Sequence, residues 1–395
     1  MRGGAGLELA DIFRAAGGVY RQTHALIPQQ QRVMGAIQSC RTAALGGHVQ
    51  QCDLCAARKV WYNSCRNRHC PKCQTLAKER WLAARRAELL PVPYFHVVFT
   101  LPHELNALIQ GNPALLYDLL FKAAAQTLLE FGHNPRWLGG EVGITLVLHT
   151  WGQNLNQHVH VHGIVSGCAL LPSGDQWVRA RSGFLFPVQA LAKVFRGKYL
   201  AALKQAAGAG KLKFAGSTAP LFEPARFAAF VSRLYRHDWV VYAKRPFAGP
   251  EQVLAYLGHY THRVAITNAR LLSFAQGAVR LRWRDYAAGN KSKVMTLPVQ
   301  EFIRRFLLHV LPRRFVRIRH YGVLANRTRA DKLARLRTLL DVPAPASVKP
   351  ETAAAFVLRV TGIDPQRCAS CGKGRLLLVA CHAPLAQSRA PPIPR

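Results

Sequence analysis

In the stretch QHVHVHGIVSG (157–167), His158, His160 and His162 stand at every second position. Side chains on an extended strand alternate between faces, so the three imidazoles would share one face and Val159 and Val161 the other. Imidazoles two residues apart on a stiff strand form a preset clamp for a divalent ion. A lone histidine more often packs without chemistry, but three in strict alternation argue for a metal.

Tyr256 and Tyr260 in AYLGHYTHR are four residues apart, hence neighbours on one helical face. A phenol is a weak nucleophile near neutral pH because its pKa is about 10. A divalent cation on a scissile phosphate would lower that barrier by neutralising charge and holding the phosphodiester in line. Attack would leave a 5′-phosphotyrosine link and a free 3′-hydroxyl, storing the bond energy for rejoining. Taken without the histidines, the tyrosines read as a packing stripe with Val253; taken with them, as nucleophiles. The histidine pattern by itself also fits histidine-triad nucleotide hydrolases, but such small enzymes need neither the tyrosines nor a cysteine module.

That module is CDLCAARKVWYNSCRNRHCPKC (52–73), which holds Cys52-x2-Cys55 and Cys70-x2-Cys73 with 14 residues between them. Two such knuckles are expected to present four thiolates to one structural Zn2+, leaving no open position for catalysis. Cys40, His48, Cys65 and His69 lie around the same loop as candidates for a second ion or a substitute ligand. Near the other end, Cys368-x2-Cys371 followed by Cys381-His382 offers a weaker pattern for further zinc. Arg58, Lys59, Trp61, Arg66, Arg68 and Lys72 are interleaved with the first ligands, cations for phosphates and a ring for bases, as suits a DNA-gripping finger.

Strands are expected at YFHVVFTLP (94–102), EVGITLVLHTW (141–151), HVHVHGIVSG (158–167) and DWVVYAKRPF (238–247). Helical patterns cover 104–131, with a break at Asn112-Pro113, then 188–206, 224–236 and 249–263, the last entered at Pro250. Strand-like ARLLSFA and AVRLRWRDY precede a basic helical region reaching about residue 340. DVPAPASVKP reads as a linker, and the Pro/Ala tail has the composition of a disordered segment. The expected order is a helical and zinc-binding part (1–90), an α+β catalytic domain with a mainly antiparallel sheet (91–275), a basic helical DNA-binding extension (276–342), and a linker with a small CxxC segment and tail (343–395).

The 395 residues carry 54 Lys and Arg against 19 acidic side chains, a formal charge of +35, with 50% hydrophobic content. Such a chain can bury a sizeable core, and its charge attracts polyanions, nucleic acid first. No run approaches the roughly 20 apolar residues of a membrane helix, and MRGGAGLELADIFRAAGG lacks the apolar heart of a signal peptide. The expectation is a soluble, cytoplasmic, nucleoid-associated protein of bacterial type, its cysteines in a reducing milieu.

YNSCRNRHCPKCQ, LHTWGQNLNQHVHVHGIV and YLGHYTHRVAITNARL, in that order, resemble the signature blocks of rolling-circle insertion-sequence transposases of the IS91 family. The resemblance covers about residues 10 to 330 and implies a zinc-binding domain followed by an HUH-type antiparallel sheet flanked by helices, the HUH strand central. It matches His160 and His162 to the metal pair for Mg2+ or Mn2+, and Tyr256 and Tyr260 to the nucleophiles. Gln153, in the turn before the histidine strand, is the expected third ligand, ahead of His158 and His149. His259 departs from the family's usual arginine, and Val159 from a frequent proline. The implied function is a transposase that nicks single-stranded DNA at the ends of its own element, with no membrane partner. The alternatives are a replication initiator or relaxase of the same chemistry, and a non-catalytic zinc-dependent DNA-binding protein.

Overall fold

The computed structural model describes residues 6–181, 183, 185–243, 252, 253, 256, 258, 265–285, 288–344 and 351–385. Its strands in chain order are β1 (Gly47–Cys52), β2 (Arg58–Tyr62), β3 (Tyr94–Thr100), β4 (Glu141–Trp151), β5 (Gln157–Leu170), β6 (Trp177–Arg179), β7 (Val241–Ala243), β8 (Leu271–Ala275), β9 (Ala278–Asp285), β10 (Lys291–Pro298), β11 (Ile318–Gly322) and β12 (Leu376–His382). The chain folds into two compact units that interleave along the sequence, 81–261 with 311–346, and 1–80 with 262–310 and 347–395. The serial order expected from the sequence differs from this, because later segments return to units begun earlier.

In the first of these units the strands lie in the order β11-β4-β5-β3-β7, with β6 paired to β5, all antiparallel. The histidine strand β5 is therefore central. Its alternation sends Val159, Val161 and Val165 into one core with Val97 and Phe99 of β3 and Ile144, Leu146 and Leu148 of β4. The helices Pro113–His133 and Val188–Gly208 add Leu116, Leu120, Leu128, Phe195, Tyr199 and Leu203 to that core. Each fully buried side chain of this size contributes about 1.5–3 kcal/mol. The expected break falls at Asn112, whose side-chain amide donates to the Leu108 and Lys213 carbonyls, and Pro113 opens the longer helix where no amide hydrogen is needed. Gly163 sits where a Cβ would lie 3.0 Å from Leu146 Cδ2 and 3.3 Å from the Val97 carbonyl, so glycine lets both neighbouring strands close on β5. The opposite sheet face carries the histidines and a smaller cluster of Tyr94, Ile164, Cys168, Val253, Val323, Leu333 and Leu336.

The second unit packs the helix Leu9–Thr23 on Pro28–Ser39 and on Val299–Leu307, with Phe13 and Phe306 edge to face at 5.3 Å. It holds two three-stranded sheets, β12-β1-β2 and β10-β9-β8. The region expected to be helical up to about 340 is helical at Val299–Leu307 and Arg329–Leu339, but β10 and β11 are strands. Each is held by a partner, β9 and β4 respectively, that its own composition does not announce. Of the helix expected over 249–263, Gln252, Val253, Tyr256 and Gly258 are helical; Pro250, His259 and Tyr260 lie outside the described residues, as do 345–350 of the linker and the tail from 386. Among the described residues no helix is long and apolar enough to cross a membrane.

Candidate active site and metal centres

The register of β4 against β5 sets His149 directly across from His160, with His162 two residues on along the same face. The ligand atoms of these three imidazoles all lie within 4.8 Å of one another. His160 Nδ1 is 2.9 Å from the His158 carbonyl, which can only accept, so Nδ1 carries a proton and Nε2 is the nitrogen that could ligate a cation. That Nε2 lies 3.0 Å from Nε2 of His162. Two ring nitrogens so close need a proton or a cation between them, and the donor set suits a divalent ion.

Sequence reasoning missed His96. It lies on β3 opposite Ile164, nearly fully buried, with Nε2 3.0 Å from His162 Nδ1. The Tyr256 hydroxyl lies 2.7 Å from Nε2 and 2.8 Å from Nδ1 of the same ring. Tyr256 is thus linked to the imidazole cluster through His96. The available signal was a lone histidine interrupting the apolar run of YFHVVFT. Of the other candidates, His158 turns Nδ1 to His103 at 3.1 Å, and burial followed by that neighbour pushes its pKa down. Gln153 lies in the turn between β4 and β5. The sequence favoured Gln153 as third ligand; the histidine that the sheet brings beside His160 and His162 is His149.

The cysteines expected to share one zinc are divided. Cys70 and Cys73 gather with Cys40 and Cys65, while Cys52 and Cys55 gather with Cys368 and Cys371. A tetrahedral Zn–S distance of about 2.3 Å requires sulfurs about 3.8 Å apart. The observed separations are 3.6 Å for Cys40–Cys73 and Cys65–Cys73, and 3.7 Å for Cys40–Cys70, Cys52–Cys371 and Cys55–Cys368. Disulfide sulfurs would be about 2.05 Å apart. In the first group the thiols compete for protons: hydrogen bonds from Cys65 and then Cys70 bring Cys40 down to about 7, and Cys40, Cys65 and Cys70 together hold Cys73 low. Cys381, exposed on β12 opposite His48, belongs to neither group.

Among the expected DNA-contacting residues, Arg58, Lys59 and Arg66 are exposed, with Lys59 Nζ 3.9 Å above the Trp61 ring. Trp61, Arg68 and Lys72 are half-buried, and Lys72 is held by Glu8 at 2.8 Å. An unexpected basic row lies on β9, where Arg280, Arg282 and Arg284 share the exposed face and Val279 and Leu281 the buried one.

The family model described as "Putative transposase" matches residues 143–332, and the one described as "Transposase zinc-binding domain" matches 12–101. The chain is similar to "Putative transposase y4qJ" of Sinorhizobium fredii (strain NBRC 101917 / NGR234), 51% identical over 379 residues that span 95% of each chain. It is also similar to "Transposase for insertion sequence element IS801" of Pseudomonas savastanoi pv. phaseolicola, 27% identical over 340 residues, 85% of this chain and 80% of that one. No solved structure matches it.

Proposed function

Because this chain belongs to the IS91-type transposases, we propose that it moves its element by rolling-circle transposition, nicking single-stranded DNA through a tyrosine. The observation that carries this reading is the contact of the Tyr256 hydroxyl with His96, which in turn touches the imidazole cluster of His149, His160 and His162. Those three imidazoles hold Mg2+ or Mn2+, which when bound supplies positive charge to the scissile phosphate. Tyr256, positioned by His96, attacks phosphorus as the bond to the 3′-oxygen breaks; the phenolic proton is given up to solvent, the departing oxygen takes one up and leaves as a 3′-hydroxyl, and the 5′-phosphate stays on the tyrosine. Tyr260 is the second nucleophile. Cys40, Cys65, Cys70 and Cys73, all inside the matched zinc-binding domain, hold a structural Zn2+. Arg58, Lys59, Arg66 and the row Arg280, Arg282 and Arg284 contact DNA phosphates.

Incubation with a labelled single-stranded oligonucleotide from an element end tests this. Wild type yields a covalent protein–DNA adduct; Tyr256→Phe/Tyr260→Phe and His160→Ala lose it while retaining most DNA binding. Adduct formation by the double tyrosine variant would sink the assignment.

A further inference from the structure

A metal site is assembled from two cysteines inside the matched zinc-binding segment and two far beyond it in the sequence. Cys52 ends β1 and Cys55 follows it; Cys368 and Cys371 precede β12, more than three hundred residues later. The sulfurs of Cys55 and Cys368 are nevertheless 3.7 Å apart, as are those of Cys52 and Cys371, and all four lie within 4.8 Å of one another. We propose that these four cysteines bind a second structural Zn2+, which ties the C-terminal segment into the N-terminal zinc-binding fold.

The backbone around the group is built for thiolates. In each knuckle the residue after the second cysteine has positive φ, Ala56 at 53° and Gly372 at 68°. This turns following amides toward sulfur, and Gly374 N donates to Cys371 Sγ at 3.3 Å. For alanine that conformation costs on the order of 1 kcal/mol, so something at the turn must offset it. Cys40 and Cys65 of the other group are likewise followed by left-handed residues, Arg41 at 56° and Arg66 at 50°. Both groups thus use the same turn.

The two knuckles are also joined directly. Asp53 N donates to the Arg375 carbonyl at 3.0 Å, and Arg375 N donates to Asp53 Oδ1 at 2.8 Å. A Cβ on Gly374 would run into Cys52 Sγ and Asp53, so that position admits only glycine at this approach. From there β12 pairs with β1 from Cys52↔Leu376 to Gly47↔His382. The apolar content here is small, Cys52, Cys368 and Leu376 being the buried residues, too little to hold a remote strand by packing alone. A tetrahedral set of four sulfurs selects zinc or iron, and zinc needs no redox partner. Closing so long a loop with an ion is where a crosslink has most chain entropy to remove.

The proposal is independent of the catalytic reading, and its test reads metal, not cleavage. Zinc bound to the full-length protein is counted in four variants. Cys52→Ser/Cys55→Ser and Cys368→Ser/Cys371→Ser should each lose one equivalent, and the quadruple variant no more than one, since all four residues serve the same ion. Cys65→Ser/Cys73→Ser should lose a different equivalent. Unchanged zinc in the C-terminal pair, or additive losses in the quadruple variant, would overturn the shared site. Should the variants misfold, cadmium-113 resonances of the exchanged wild-type protein decide the matter: two tetrathiolate signals support the proposal, and a single one defeats it.

Discussion

His160 can serve a cation because the His158 carbonyl fixes its Nδ1 proton and leaves Nε2 to ligate. His162 has the same need, met through Nδ1 by His96 at 3.0 Å. Removing a partner that orients a ligand costs roughly 10–100-fold in metal affinity. His96→Ala should therefore weaken Mn2+ binding in that range, and His149→Ala by at least as much, in calorimetric titrations. His158→Ala should change it little, because that ring turns toward His103. Equal losses in His149→Ala and His158→Ala would remove His149 from the ligand set. The pair His160 and His162 was readable from spacing. His149 was not preferred, because its place depends on which residue of β4 faces which of β5, and register is set by packing and turn geometry outside any one strand.

Among the elements, β11 was hidden in a basic stretch and became a sheet edge by pairing with β4. That pairing half-buries His320, with Nδ1 2.9 Å from Thr145 Oγ1 and Nε2 3.1 Å from Arg85 Nη1. Burial first, then Arg85 and Arg329, bring its pKa down from 6.5 to about 4. The neutral ring suits this site, since Nε2 accepts from a guanidinium. Above pH 6.5 neither state is protonated; between that value and about 4 the unfolded chain takes up the proton first, so stability falls with falling pH. At pH 5 this loss amounts to about 2 kcal/mol from this residue. Urea unfolding of His320→Gln should show a correspondingly shallower decline between pH 7 and 5. An identical decline in wild type and variant would mean the ring titrates normally. By contrast β5, β4 and the Pro113 helix follow their local patterns closely, since alternation and helical spacing already separate core from open face.

For the whole molecule, a formal charge of +35 makes DNA binding strongly salt-dependent. Each phosphate neutralised on a single strand contributes about −0.7 to the slope of log K against log salt. The triple variant Arg280→Ala/Arg282→Ala/Arg284→Ala should reduce the magnitude of that slope by about 2, read by fluorescence anisotropy on a single-stranded oligonucleotide. A slope equal to wild type would take the β9 row out of the DNA surface. The same row shows why the region after 276 reads as basic without revealing its form: arginines at every second position declare a strand, but β10 and β11 need partners from elsewhere.

By itself the amino-acid order determined the histidine alternation, the tyrosine spacing, the cysteine knuckles and the charge, hence the transposase resemblance. These are local facts, legible because helix and strand periods fix which side chains share a face. Only the tertiary structure decided that His149 joins His160 and His162, that His96 bridges to Tyr256, and that Cys52 and Cys55 meet Cys368 and Cys371 instead of Cys70 and Cys73. Those partnerships come from strand register and from closing loops of many residues, where the free energy belongs to the assembled sheet and core and leaves no periodic trace in either segment.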